Sequence, residues 1–330
     1  MPSADPAAGP EPQATQEARV SDGRVVVFGG TGFLGRQICQ NFVAAGREVL
    51  VLGRTAPLAA AGCRFRAVDV ARTPTRDLAG LLAAERPATI VNATGSKWGL
   101  TGRDLVDSCV GASRNIMAAL AESAVTPRYI HLGSVLEYGY LAPPPVGPDS
   151  AYGQLKLAAT ETVLEAAAAG TVDAAVLRLA NVVGPGAAAE SLPGLVAGKL
   201  ADADRRGEPA LIEVTALNAH RDYVDVRDVA DAVAAAARVP VLREPVAIGR
   251  GETVPVRKLV AMLVEVSGVR ATVSELPSPD LSAESEVSTR VDLAPARELL
   301  GWAPRRTLRD AIEALWLDAK EERKRAQPVR

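Results

Sequence analysis

Four consecutive apolar residues, Val25 to Phe28, lead into Gly29-Gly30-Thr31-Gly32-Phe33-Leu34-Gly35. A short unbroken apolar run suits a strand whose two faces are both covered, as in a parallel sheet. Beyond it Leu34, Ile38 and Phe42 recur at helical spacing, Gly46 stands where a C-cap is expected, and Val49-Leu50-Val51-Leu52 forms a second apolar run. The pattern is a βαβ opening. Further strands are predicted at Phe65–Val70, Thr89–Gly95, Tyr129–Ser134 and Ala174–Leu179. Helices are predicted from Arg103 to Ser123, where Leu105, Val106, Val110, Ile116, Met117 and Leu120 make one apolar stripe, and from Ala151 to Ala168.

This alternation predicts an α/β chain: a Rossmann-type doubly wound parallel sheet. From Gly184 onward the alternation breaks, punctuated by Pro185, Gly186, Pro193, Gly194 and Gly207, and a smaller mixed α/β C-terminal substrate lobe is expected. The expected division is a disordered tail over 1–22, a dinucleotide-binding domain over 23–183, and a substrate lobe over 184–330 from which about 221–240 returns to the first domain. Between Tyr138 and Ser150, Pro143-Pro144-Pro145 and Pro148 bar helix and ladder pairing, which predicts a stiff loop able to shape a substrate mouth.

Composition narrows the function. The chain has 330 residues, 48% of them hydrophobic, enough for one large domain or two unequal lobes. A net charge of -2 offers no basic field for nucleic acid or an anionic membrane, and no apolar run is long enough to span a bilayer. Residues 1–22 lack the basic start and apolar centre of a secretory signal, so a cytoplasmic location is expected. Cys39, Cys63 and Cys109 fall in no metal-ligand spacing and are expected as reduced thiols; no metal site is expected.

The candidate chemistry sits at strand ends. Gly29, Gly32 and Gly35 strip side chains from the first turn, so that a pyrophosphate can approach the backbone and the N–H groups of the following helix. Thr31, Phe33 and Leu34 belong to the same turn. After the second strand, where an acid would hold the ribose hydroxyls of NAD, stands Arg54. A guanidinium pairs with a 2′-phosphate, so NADP(H) is the expected cofactor, with NAD(H) the alternative. Asp69 and Val70 close the third strand on the adenine side, and Ala93, Thr94 and Gly95 close the fourth beside the cofactor. Tyr152 and Lys156 lie four apart on one helix face, and Ser134 ends the preceding strand. The expectation is that the lysine favours the phenolate, that Ser134 bonds the same oxygen, and that the three polarise a substrate C–O bond while hydride moves.

The order of glycine turn, strand-end serine, then Tyr-x-x-x-Lys resembles the extended short-chain dehydrogenase/reductases, the NAD-dependent epimerase/dehydratase group, over Arg24 to about Leu317. Arg178-Leu179-Ala180-Asn181-Val182-Val183-Gly184-Pro185, the segment His220 to Ala230, and Leu299-Leu300-Gly301-Trp302-Ala303-Pro304 are similar to three further motifs of that family. The resemblance implies a nucleotide-sugar substrate, with Asn181 facing its diphosphate and Arg221 pairing with a phosphate, and a homodimer through 112–121 and 158–169. Family members that eliminate water carry Asp-Glu after the serine, where this chain has Val135-Leu136, and Cys109 replaces a common asparagine. Gly95-Ser96-Lys97-Trp98-Gly99 and the run from Leu132 to Gly139 resemble the NDP-4-keto-6-deoxyhexose 4-ketoreductases, which implies Lys97, Trp98 and Glu137 near the hexose. The function so implied is NADPH-dependent reduction of a TDP-bound 4-keto sugar in deoxysugar and antibiotic biosynthesis. An NAD-dependent epimerase and a non-catalytic dinucleotide-binding regulator are the alternatives.

Overall fold

The structure is a computed structural model that describes residues 23–56, 62–138, 148, 150–215, 217–239, 242, 244–276 and 288–325. The tail expected over 1–22 and nearly all of the proline-rich loop fall outside the described residues. The first half runs β1 (Val25–Phe28), α1 (Phe33–Ala44), β2 (Val49–Gly53), β3 (Cys63–Ala67), α2 (Thr75–Glu85), β4 (Thr89–Asn92), α3 (Gly102–Val106), α4 (Ala112–Glu122), β5 (Arg128–Ser134), α5 (Ala151–Ala168) and β6 (Asp173–Leu179). The second half continues with β7 (Asn181–Val183), α6 (Leu192–Arg206), β8 (Ala210–Val214), β9 (His220–Asp225), α7 (Val226–Ala236) and β10 (Val246–Ile248). It closes with β11 (Thr253–Pro255), α8 (Val256–Ser267), β12 (Ala271–Glu275), β13 (Ser288–Thr289), α9 (Ala294–Leu300) and α10 (Leu308–Arg325).

Seven strands form one parallel sheet in the order β10-β6-β5-β4-β1-β2-β3. The chain winds outward from β1 in one direction and from β4 in the other. Their neighbouring carboxyl ends, with Phe28 opposite Asn92, therefore form the crevice at which such sheets bind ligands. All four residues of β1 are fully buried, and their pleat divides them between two cores. Val25 and Val27 pack with Ile38 and Phe42 of α1 and with Val229 and Val233 of α7, whereas Val26 and Phe28 pack with Leu78, Ile116 and Val163 on the opposite side. That double coverage is why the run reads as uninterrupted apolar residues. A third core, built on Leu200, Ile212, Leu259 and Leu315, belongs to α6, β8, α8 and α10.

Four boundaries differ from the sequence reading, the simplest being the fourth strand, which stops at Asn92 and not at Gly95. The third strand begins at Cys63 and ends at Ala67, before Asp69, because as the sheet's edge it exposes Arg64 and Arg66 and carries no apolar run. The stripe from Arg103 to Ser123 is not one regular helix: a π-turn over Asp107–Gly111 separates α3 from α4. The segment at 221–240 divides. Its strand β9 pairs with β7, β11 and β13 in a separate small sheet, while α7 lies on α1, with Asn41 Nδ2 donating to Asp231 Oδ1 at 2.8 Å, and β10 joins β6 in the main sheet. The motif ending at Pro304 anchors that return, since buried Trp302 donates Nε1 to Asp228 O at 3.1 Å. Among the described residues no helix is long and apolar enough to cross a membrane.

Candidate active site

Gly29 adopts φ 72°, and a Cβ there would lie 2.8 Å from Ala93 O. At Gly35 an added Cβ would sit 2.6 Å from Gly30 Cα, so α1 packs on the turn at a distance only glycine permits. Gly32 is the N-cap of α1, which has no side-chain cap and no acid in its first turn. The free N–H groups at this helix start are therefore left for an anion. In front of them lies a cavity of about 390 Å³, lined by Gly29, Thr31, Gly32, Arg54, Asp69 and Val70 on one wall. Ala93, Thr94, Gly95 and Trp98 line the other. A bare-backbone cradle facing a cleft of this size fits the diphosphate and adenosine of a dinucleotide. Phe33 and Leu34 supply two of those N–H groups, while their side chains lie elsewhere, Phe33 against Gly186 and Leu34 in the core.

The cavity also contains groups that sequence reasoning missed. Exposed Arg72 pairs with Asp104 at 2.9 Å and with Asp107 at 3.3 Å, and all three residues line the cleft. Ser108 accepts the Gly95 N–H at 3.2 Å. More than thirty positions separate Arg72 from these acids, and no local pattern links them.

At the other end, Tyr152 Oη donates to Gly95 O at 3.2 Å. Beneath it Lys156, buried, donates Nζ to Leu132 O, and a Cβ added to Gly95 would lie 3.3 Å from both Lys156 Nζ and Cys109 Sγ. The tyrosine hydroxyl, the ammonium and the thiol thus converge on Gly95, at the margin of the cofactor cavity. Ser134 is buried at the end of β5, and its Oγ accepts from Leu136 N at 3.2 Å. Lys97 holds its ammonium 4.5 Å from the Trp98 ring centre and 5.9 Å from that of Tyr152, which puts both residues beside the phenol.

Three expectations need correction. The Tyr152 phenol is raised, not drawn toward the phenolate: burial is the main cause, with Cys109 and Glu137 adding to it, while Lys156 is turned to a backbone carbonyl. Burial likewise lowers Lys156. Nor does the phenol bond Ser134; its partner is Gly95. Glu137 also fails to face the cleft. Its side chain is fully buried, accepting from Ser134 N at 2.8 Å, from Thr160 Oγ1 at 3.0 Å and from Arg178 Nε at 2.6 Å. It ties the serine strand end to α5 and β6. Half-buried Asn181 donates to Asp222 O at 3.4 Å, and Arg221 donates to His220 O at 2.9 Å; both lie on the small sheet. Cys39, Cys63 and Cys109 are free thiols.

Residues 25–249 match the model of the NAD dependent epimerase/dehydratase family. A curated relative, the dTDP-6-deoxy-L-talose 4-dehydrogenase (NAD(P)(+)) of Kitasatospora kifunensis, is 42% identical over 301 residues, 89% of this chain and 94% of that protein. The 2′-dehydrokanamycin reductase of Streptomyces kanamyceticus is 33% identical over 170 residues, 50% of this chain and 44% of that one. Among solved structures, MoeE5 in complex with UDP-glucuronic acid and NAD superposes with a TM-score of 0.77 at 25% identity, covering 91% of this chain and all of the other. With the glycine cradle and the Tyr152/Lys156 pair in place, these matches establish that the chain belongs to the NAD dependent epimerase/dehydratase family and is an NAD(P)-dependent enzyme.

Proposed function

We propose that the protein reduces the 4-keto group of a TDP-bound 4-keto-6-deoxyhexose, with NADPH as the preferred reductant. The observation that carries this reading is the hydrogen bond from Tyr152 Oη to Gly95 O, with Lys156 directly beneath, at the edge of a cleft lined by the glycine turn. The 42% identical relative, whose name describes a 4-dehydrogenase of a dTDP-deoxysugar, supports the same position on the same class of sugar.

Bound at the cleft, the reduced nicotinamide supplies hydride to the carbonyl carbon. This chain's residues supply the rest. A phenol kept protonated by burial is in the right form to give its proton to the oxygen that gains charge at C4. Because Leu136 N already donates to Ser134 Oγ, the serine's own O–H is free to bond the carbonyl oxygen. Lys156, buried beneath the phenol, places a positive field under the reacting oxygen in its ammonium form. Arg54, exposed on the cavity wall, is the group for a 2′-phosphate, while Lys97 and Trp98 border the sugar.

The test is steady-state oxidation of NADPH with freshly prepared TDP-4-keto-6-deoxyhexoses, followed by NMR of the product. Turnover with a new C4 carbinol is expected. No turnover across such a panel, in protein shown to bind NADPH, would overturn the reading. An epimerase would instead keep NAD through purification, which mass analysis of the native protein detects.

A further inference from the structure

His131 lies on β5 three residues before Ser134, between Asn92 of β4 and Val176 of β6 in the sheet register. Its side chain is 2% exposed, and among the described residues neither ring nitrogen has a hydrogen-bond partner. Buried polar groups are nearly always satisfied, so an imidazole with two orphaned nitrogens at the heart of a sheet needs an explanation. The mechanism above makes no use of it.

The pleat points His131 to the same face as Tyr129 and Gly133. Tyr129 packs with Ile116 and Val163 of the helical layer, and a Cβ at Gly133 would lie 3.3 Å from Thr160 Oγ1 of α5. From that layer, one turn before Thr160, Lys156 descends to Leu132 O, the carbonyl next to His131. A lysine ammonium has three protons to give. Leu132 O takes one, and in the proposed reaction one faces the cofactor, which leaves one for the interior.

We propose that His131 is a positioning residue for Lys156: the ammonium proton directed into the interior is donated to one buried water, which donates in turn to the unprotonated ring nitrogen. Such a water gains partners on both sides, as buried waters do. The charged and titratable groups around the imidazole agree. Burial, with the charges of Lys156 and Arg178 adding to it, holds the ring in the neutral form that can accept. Arg178 Nε donates to Glu137 and Asn92 Nδ2 to Ser113. This leaves Lys156 and the Tyr129 hydroxyl, buried on the same strand face without a partner among the described residues, as the competing donors that Lys156→Met tells apart. Tyr129, on the same strand face, is held protonated by burial, and Cys109 and Glu137 act on the lysine from its other sides.

The proposal rests on Lys156 serving the reduction, and two measurements separate it from that reading. The chain has two histidines, so ring nitrogen-15 spectra of the full-length protein contain two sets of signals, and His220→Gln assigns them. Neutral-tautomer signals for His131 that shift in Lys156→Met are expected; signals indifferent to Lys156→Met would overturn the contact, whatever the enzyme does. In kinetics, His131→Leu is expected to lower kcat about tenfold, the value of one buried hydrogen bond to a charge, with KM for the sugar unchanged. The alkaline limb of kcat moves to lower pH, since loss of an acceptor disfavours the ammonium. His131→Gln, which keeps an acceptor, restores most of the rate. A pH profile for His131→Leu that superposes on wild type overturns the role even if the melting temperature falls. Should His131→Leu not fold, the spectra and His131→Gln decide the matter. Full reductase activity in Lys156→Met would overturn the role of Lys156 and with it the kinetic half of this proposal, whereas no turnover by wild-type protein that binds NADPH would sink the reductase reading and leave the spectra to decide the contact.

Discussion

At the glycine turn the groups facing the cleft are backbone N–H groups on a chain stripped of side chains, whereas about 100 residues and more downstream the proposed reacting groups are side chains, Ser134, Tyr152 and Lys156, packed into the protein. The first site works by approach: Gly29 and Gly35 are needed because any Cβ would strike Ala93 O or Gly30 Cα. The second works by burial: desolvation, more than any neighbouring charge, sets the protonation of the phenol and the lysine. A site made of backbone fails when atoms are added. One made of buried side chains fails when an atom or a partner is removed.

The sharpest break of this contrast is Tyr152→Phe, which removes one oxygen at the buried end. It should lower kcat by about 10²–10⁴, the usual share of a general acid, while NADPH affinity, measured by fluorescence titration, stays near wild type. Glu137→Gln comes next. It leaves Arg178 buried without its charge partner and should cost roughly 3–5 kcal/mol in denaturant unfolding, with the sugar KM of any folded fraction unchanged, because the carboxylate faces the interior. Weakened substrate affinity without lost stability would return Glu137 to the sugar. At the glycine end, Gly35→Ala should cost about 1–3 kcal/mol through overpacking and abolish measurable NADPH binding, the reverse of Tyr152→Phe. Arg54→Asp probes the same wall more gently. Loss of one charge-assisted contact predicts about a tenfold or greater fall in NADPH affinity with NADH affinity retained.

The smallest effect is one of pH. The folded-state phenol of Tyr152 lies above its unfolded value near 10, so the native state holds the proton longer. Its contribution to stability is whole below pH 10 and is lost as pH rises through the folded value. Tyr152→Phe should therefore flatten the alkaline end of the stability curve, and an unchanged slope there would show the phenol to be solvated.

The main sheet could be read in advance because β1, β2 and β4 are covered on both faces, so each strand is a plain apolar run. The edge strand β3 was misplaced for the opposite reason: with one side open to water it alternates with arginine, and its apolar signal thins. Within the site, Gly29, Gly32, Tyr152 and Lys156 were legible because their geometry is local, a tight turn and one helix face. Glu137 misled because a carboxylate three residues after the serine can point into the cleft or into the core. Only Arg178 on the neighbouring strand, opposite Gly133, decided for the core. The Arg72 cluster and the orphaned nitrogens of His131 left no trace in the local pattern, since their neighbours come from other strands and helices.

What the chain determined by itself was spacing: the runs that become strands, the glycines that make a turn without Cβ atoms, and the four-residue interval that puts phenol and ammonium on one face. Tertiary structure alone decided which charges meet and which lose water. It turned Lys156 to a carbonyl, raised the phenol of Tyr152, and buried Glu137 against Arg178. The reason is that periodicity follows from bond geometry within a few residues, whereas desolvation and ion pairing depend on every element that closes over a group.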